Sequence, residues 1–274
     1  MFYRRYTPPP PLAALVNCIW YSEGFEGTHE RERLLPNGES GIVFDLREEP
    51  VRIYSPDTPD SFESFAPAIF CGARTDCFLI DTCQQERVIG IQFRPGGAFA
   101  FLGMPASEVA NATYSLEDIW PGRALSIRQA LMDAPSVDAM FAILERALSA
   151  RLCGSRGLHP AVAFAVSKLS KPAENLRVRD VTDCIGLSSR RFIELFREQT
   201  GLTPKAFQRV RRFQQVLQTL HKRPRADVDL TAVAYRCGYY DQPHFIHDFR
   251  LFSGMTPGEY VTVATPHLNH VPLG

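Results

Sequence analysis

Apolar residues change their spacing part-way along this 274-residue chain. Up to about residue 115 they come in short β-branched or aromatic runs: Ile42 to Leu46, Val51 to Tyr54, Phe78 to Ile80 and Val88 to Phe93. Turn formers separate them at Pro36-Asn37-Gly38, Glu49-Pro50, Ser55 to Asp60 and Pro95-Gly96-Gly97. Runs punctuated in this way predict the strands of a sandwich or barrel. Beyond Pro121 the period lengthens to three and four. Leu125, Arg128, Leu131 and Met132 mark one helix. Met140, Phe141, Leu144, Ala147 and Leu148 mark a second, capped by Ser136. Such stripes pack on the β unit or pair with a second subunit, and core packing is the commoner outcome.

The small-residue break Cys153 to Gly157 reads as a linker, which divides the chain into domains at 1–153 and 158–265. The second domain is helical throughout. Pro160 opens a helix carrying Val162, Phe164, Ala165 and Leu169. Pro204 opens a long one from Lys205 to His221, with Phe207, Val210, Phe213, Val216, Leu217 and Leu220 on one stripe, and Arg223-Pro224 ends it.

One pattern flanks that long helix on both sides. Phe192-Ile193-Glu194-Leu195-Phe196-Arg197 continues to Gly201-Leu202-Thr203-Pro204, and fifty-three residues later Phe245-Ile246-His247-Asp248-Phe249-Arg250 continues to Gly254-Met255-Thr256-Pro257. A short apolar stretch ending in Gly186 or Gly238 precedes each copy. Helix, glycine turn, helix is the layout of a helix-turn-helix unit, so two such units are expected. Ser188-Ser189 and Asp241 suit the caps of the second helices. Phe192, Leu195 and Phe196 then face inward, as do Phe245 and Phe249. Outward lie Ser189, Arg190, Ile193 and Glu194 in the first unit, and Gln242, His244 and His247 in the second. Arginine suits guanine and glutamine suits adenine, each bidentate pair giving about 1–3 kcal/mol of discrimination. Ile193 suits a thymine methyl or the cover of a neighbouring helix. Arg197 and Arg250 share one template position on the flank, where phosphate contact or a salt bridge within the unit is expected.

Charge strengthens this reading. The chain as a whole is neutral, yet residues 1–156 hold 14 basic against 20 acidic side chains and residues 157–274 hold 16 against 10. A basic second half joined to an acidic first half places a polyanion at the second alone. No run approaches the roughly 20 apolar residues of a membrane span, and no secretory signal is visible, so a cytoplasmic protein is expected. Seven cysteines include no C-x-x-C pair. Cys71, Cys77 and Cys83, six apart, read as isolated buried thiols rather than a metal or redox site.

Residues 159 to 265 resemble the DNA-binding domain of the AraC/XylS family of transcription regulators. The second unit carries most of the likeness: Leu230-Thr231-Ala232-Val233-Ala234-Tyr235-Arg236-Cys237-Gly238-Tyr239, then Gln242, His244-Phe245, Phe249-Arg250, Gly254 and Thr256-Pro257. Thr182 departs from a usual alanine, Tyr239-Tyr240 from a commoner phenylalanine–serine, and Pro243 stands where the family often has a polar residue. The resemblance implies two units that enter adjacent major-groove segments of double-stranded DNA, with RNA polymerase as a further partner. It also implies a first half that senses a ligand or dimerises. Leu34-Leu35-Pro36-Asn37-Gly38 and Gly90 to Gly103 resemble less characterised N-terminal domains of such regulators. A cupin-like β unit followed by two helices is therefore expected.

Within that unit Trp20, Tyr21, Phe44 and Arg94 are candidates to line an effector pocket, with core packing as the ordinary alternative. A metal enzyme on a cupin-type barrel needs several inward histidines, and residues 1–156 hold only His29. No G-x-S-x-G, P-loop or G-x-G-x-x-G fingerprint occurs. No catalysis, metal or cofactor is expected. The functional expectation is a sequence-specific transcription regulator. Its alternatives are a cysteine-based redox regulator and a regulator whose first half only forms homodimers. Because the groove-facing residues differ between the units, one subunit should read a directional site.

Overall fold

The computed structural model describes residues 1–25, 29–152, 157–170, 178–222 and 229–273. The first half opens with β1 (Phe2–Tyr6), β2 (Val16–Glu23), β3 (Arg31–Leu34), β4 (Gly41–Asp45) and β5 (Val51–Ser55). Next come β6 (Thr58–Phe65), β7 (Ala68–Cys71), β8 (Phe78–Asp81) and β9 (Arg87–Phe93). One helical turn, α1 (Phe99–Leu102), leads to β10 (Thr113–Ser115), α2 (Leu116–Ile119), α3 (Ala124–Met132) and α4 (Val137–Leu152). Strand pairing is antiparallel in two sheets, of order β1-β2-β9-β4-β7-β10 and, with a last strand β11 (His270–Pro272), β11-β3-β8-β5-β6. The expected two-domain architecture, a sandwich-like β half followed by helices, is what forms.

The first sheet is packed on both faces. Ile42, Phe44, Ile89, Ile91 and Phe93 meet Leu131, Met140, Phe141, Leu144 and Leu148 from α3 and α4 in the main core. The two helices whose stripes suited either the β unit or a partner subunit thus cover the sheet. A smaller cluster, with Ile53 and Ile80 of one sheet against Ile69 of the other, lies between the sheets.

Two expectations need correction. Ser55 to Asp60 was expected to be a break, but only Pro56-Asp57 turns, and β6 starts at Thr58. This edge strand is exposed until Phe65, so no burial alternation marks it. Cys71 and Cys77 are partly or fully buried as expected, whereas Cys83 is exposed on a 3-10 turn after β8.

The second half comprises α5 (Pro160–Leu169), α6 (Val178–Asp183), α7 (Ser189–Thr200), α8 (Pro204–His221), α9 (Leu230–Arg236), α10 (Gln242–Ser253) and α11 (Pro257–Val263). Most of the expected linker, residues 153–156, lies outside the described residues, as does the Arg223-Pro224 stop; Gly157 is exposed. The stripe of α8 joins two clusters. Phe207 packs with Phe192 and Phe196 of the first unit, and Phe213 packs with Phe249 and Phe252 of the second.

Candidate nucleic-acid interface

The repeated template has the same physical construction in both copies. Ser188 Oγ accepts from Arg191 N, and Asp241 Oδ1 accepts from His244 N, so each second helix starts on a side-chain cap. Pro243 falls in the first turn of α10, where the missing N–H costs nothing. Gly201 and Gly254 end α7 and α10 with φ of 86° and 68°, the left-handed conformation that only glycine adopts cheaply. Thr200 Oγ1 donates to Phe196 O and accepts from Leu202 N, and Ser253 Oγ repeats both bonds with Phe249 O and Met255 N. Thr203 and Thr256 then cap the next helices, each with proline at its first position. The G-[LM]-T-P ending is thus a helix stop followed directly by a helix start. Thr256→Ala should cost about 1 kcal/mol in a urea unfolding series, because it dismantles the capping box with Glu259.

On this frame the outward residues stand free of the core. Ser189, Arg190, Ile193, Glu194 and Arg197 are exposed along α7, and Gln242, His244, His247 and Arg250 are exposed along α10. Arg190 Nε lies 2.9 Å from Glu194 Oε1, one turn on. Gln242 Oε1 accepts from Thr231 Oγ1 at 3.4 Å, which ties the N-terminal end of α10 to α9. Gly186 and Gly238 end α6 and α9 regions with positive φ, as their place in the turn requires.

Sequence periodicity misses one residue central to the second unit. Asp248 takes the template position of Leu195, and its side chain is only 1% exposed. Arg209 of α8 holds it, with Nη2 at 2.6 Å and Nε at 3.3 Å, while the guanidinium lies 5.3 Å from the Phe252 ring centre. The carboxylate bond raises the Arg209 pKa above its ordinary value. Tyr239, expected at the turn, is buried against Phe245 under the Arg212 guanidinium, and that burial pushes its hydroxyl pKa up. Thr182 is also buried, with its hydroxyl donating back to Val178 O, so a polar residue is accommodated where alanine is usual.

A helix-turn-helix domain model matches residues 181–262. The transcriptional activator RhaS of Enterobacter sp. (strain 638) is 33% identical over 88 residues, which is 32% of this chain and 30% of RhaS. Residues 181–262 thus form a helix-turn-helix domain, and the likeness to RhaS spans about a third of each chain. The first half of this chain matches, over residues 4–115, a domain of unknown function (DUF6597). Among solved structures, ToxT from Vibrio cholerae O395 is similar over 97% of this chain and 99% of its own, with a TM-score of 0.45 and 9% identity. The xylose-binding transcription activator xylR is similar over 46% and 38%, with a TM-score of 0.33 and 21% identity.

The two halves of the chain are in direct contact. The Leu35-Pro36-Asn37-Gly38 turn lies against α8: Leu35 joins the Val210 and Phe213 cluster, and Gln214 Nε2 donates to Pro36 O at 2.8 Å. Arg211 reaches Glu39 Oε1 at 3.3 Å. Burial pushes the Glu39 carboxyl up, opposed by Arg211 and by the Gln92 amide. Past residue 265 the tail returns as β11, which pairs with β3 at His270↔Leu34 and Pro272↔Glu32.

The four effector candidates do not converge. Tyr21 and Phe44 are buried in the core under α3 and α4. Trp20 lies flat over Gly90, where any added Cβ would come within 2.4 Å of its ring. Arg94 Nε donates to Ala13 O and secures a turn. Neither the cavity beside Leu220 and Tyr260 nor that lined by Tyr54 and Phe78 has any of them in its wall. Among the described residues no group of three or more histidine, cysteine or carboxylate side chains is arranged to hold a metal ion, and no helix is long and apolar enough to cross a membrane.

Proposed function

We propose that the protein is a sequence-specific transcription regulator that docks α7 and α10 into successive major-groove segments of promoter DNA. The observation that carries this reading is the pairing of one repeated frame with two different exposed faces. Arg190, Ile193 and Glu194 in one unit and Gln242, His244 and His247 in the other read bases; Arg197 and Arg250 anchor phosphates. The site is directional, since the two faces differ. The β-rich domain, 1–153, controls how the helical domain, 158–265, reaches the promoter and RNA polymerase, through an effector or through homodimer contacts. Burial pushes the Cys71 and Cys77 thiols up, away from the reactive thiolate that redox sensing needs, so the redox alternative falls to the exposed Cys83.

Salt-dependent binding of the purified full chain to promoter fragments tests the reading, and its absence at low salt would sink it. Arg190→Ala should cost about tenfold in preference for the cognate site over a site altered at one base pair. Arg197→Ala should weaken all sequences alike and reduce the log–log salt slope by about 1. The reverse pattern would exchange reader and anchor.

A further inference from the structure

A cavity of about 280 Å³ opens between the two sheets beside their outer strands, β6 and β10. Tyr54, Phe62 and Phe78 give it aromatic walls, Thr113 a hydroxyl and Arg74 a guanidinium, and the exposed, water-screened carboxylates of Glu63 and Asp76 also line it. Arg74 is the unusual member. Its side chain is 13% exposed, and its Nε and Nη1 are buried without a hydrogen-bond partner. Asp76 Oδ1 approaches Nε only to 3.6 Å, beyond a hydrogen bond, and that carboxylate is 56% exposed and screened by water. Phe78 lies 4.7 Å beneath the cation and supplies a face but no acceptor. Buried donors of this kind are normally satisfied, and a planar fork of N–H groups matches a carboxylate. Thr113 Oγ1, also buried without a conventional hydrogen bond, is a second polar group in the same wall.

The loop that carries Arg74 touches both DNA-binding units. One residue before it, Ala73 packs into the cluster of Phe192, Phe196 and Phe207. Three residues after it, Cys77 packs into the cluster of Val210, Phe213 and Phe249. We propose that this cavity takes a small organic carboxylate clamped by Arg74, and that the loop from Gly72 to Phe78 passes its presence to the helical half. The consequence for DNA rests on the regulator reading; the binding site does not.

Benzoate is a suitable probe, with benzamide as its uncharged counterpart and inorganic phosphate as a non-aromatic anion. The full chain should gain thermal stability with millimolar benzoate, and clearly less with benzamide or phosphate. Arg74→Met should weaken the benzoate response about tenfold or more, and Arg74→Lys should recover only part of it. Ser61 is an exposed residue on the cavity wall, so Ser61→Trp blocks the space without touching the core, and should abolish the response at unchanged unliganded stability. It decides the matter if Arg74→Met does not fold. No benzoate response, an equal response to benzamide, a response to phosphate alone, or a response that survives Ser61→Trp overturns the site. Benzoate binding that leaves DNA affinity unchanged overturns the relay through the loop. Loss of salt-dependent DNA binding by the unliganded chain would instead defeat the regulator reading and leave the cavity result standing.

Discussion

Replacing Asp248 with alanine is expected to cost about 3 kcal/mol of stability, the lower end of what breaking a buried ion pair costs. The carboxylate is enclosed, and removing it strands the Arg209 guanidinium between α8 and α10. Arg209 is itself 31% exposed, so part of its charge reaches water and the loss stays at the low end. The first unit shows what an uncharged solution looks like: Leu195 fills the same template position and is buried with Phe192 and Phe196. Asp248→Leu combined with Arg209→Met should therefore regain most of the lost stability, since an apolar pair of similar volume replaces a buried ion pair at little net cost. Urea unfolding of Asp248→Leu, of Arg209→Met and of the double variant gives the coupling energy directly, expected at about 1–3 kcal/mol. A coupling near zero would mean that Asp248 is held by helix packing rather than by Arg209. His244 lies 3.8 Å from the same carboxylate, so Asp248→Ala should also loosen the exposed face of α10 and, on the proposed function, weaken DNA binding.

The duplicated frame was legible because every part of it is local. A 3.6-residue period, a left-handed glycine and a Thr-Pro start each leave a mark within a few residues. Asp248 was not legible for the opposite reason. A carboxylate at an inward position reads as a break in the stripe until its partner, thirty-nine residues earlier on another helix, is placed beside it. The same holds for β6, whose polar residues pair at a sheet edge, and for the Pro36-Asn37-Gly38 turn, which looked like simple punctuation. Its neighbours dock against α8, a contact that only the assembled domains define. Arg74 gave no signal at all, since an arginine beside an aspartate in a loop ordinarily belongs to the solvated surface. The structure turns it inward against Phe78 and leaves two of its donors without acceptors.

Acid should loosen the C-terminal strand before the rest of the fold, with Glu32 as the group responsible. Its side chain is 3% exposed, and both its oxygens are engaged: His29 Nε2 at 2.9 Å on one, His270 Nδ1 at 2.8 Å and Gln85 Nε2 at 2.6 Å on the other. Burial alone would raise the carboxyl pKa, but the bonds from His270, Gln85 and His29 outweigh it and hold the group at about 2, below its ordinary 4.5. A carboxylate depressed in the folded state stabilises the fold above its ordinary pKa and loses that contribution as pH falls through the depressed value. The window here is thus from about pH 4.5 down to about 2, and the full contribution is roughly 3 kcal/mol. Glu32→Gln should lower stability at pH 7 and flatten its fall across that window, as read from urea midpoints at successive pH values. An unchanged acid slope in Glu32→Gln would assign the acid sensitivity to other carboxylates. His270→Ala separates the clasp from the carboxylate's other bonds, because His29 and Gln85 belong to the β half and only His270 arrives on β11. If hydrogen exchange of β11 amides then rises while that of β8 and β9 does not, Glu32 acts as the fastening point of the tail. The chain beyond residue 265, already paired with β3, is in that case fastened to the β half chiefly through this buried carboxylate.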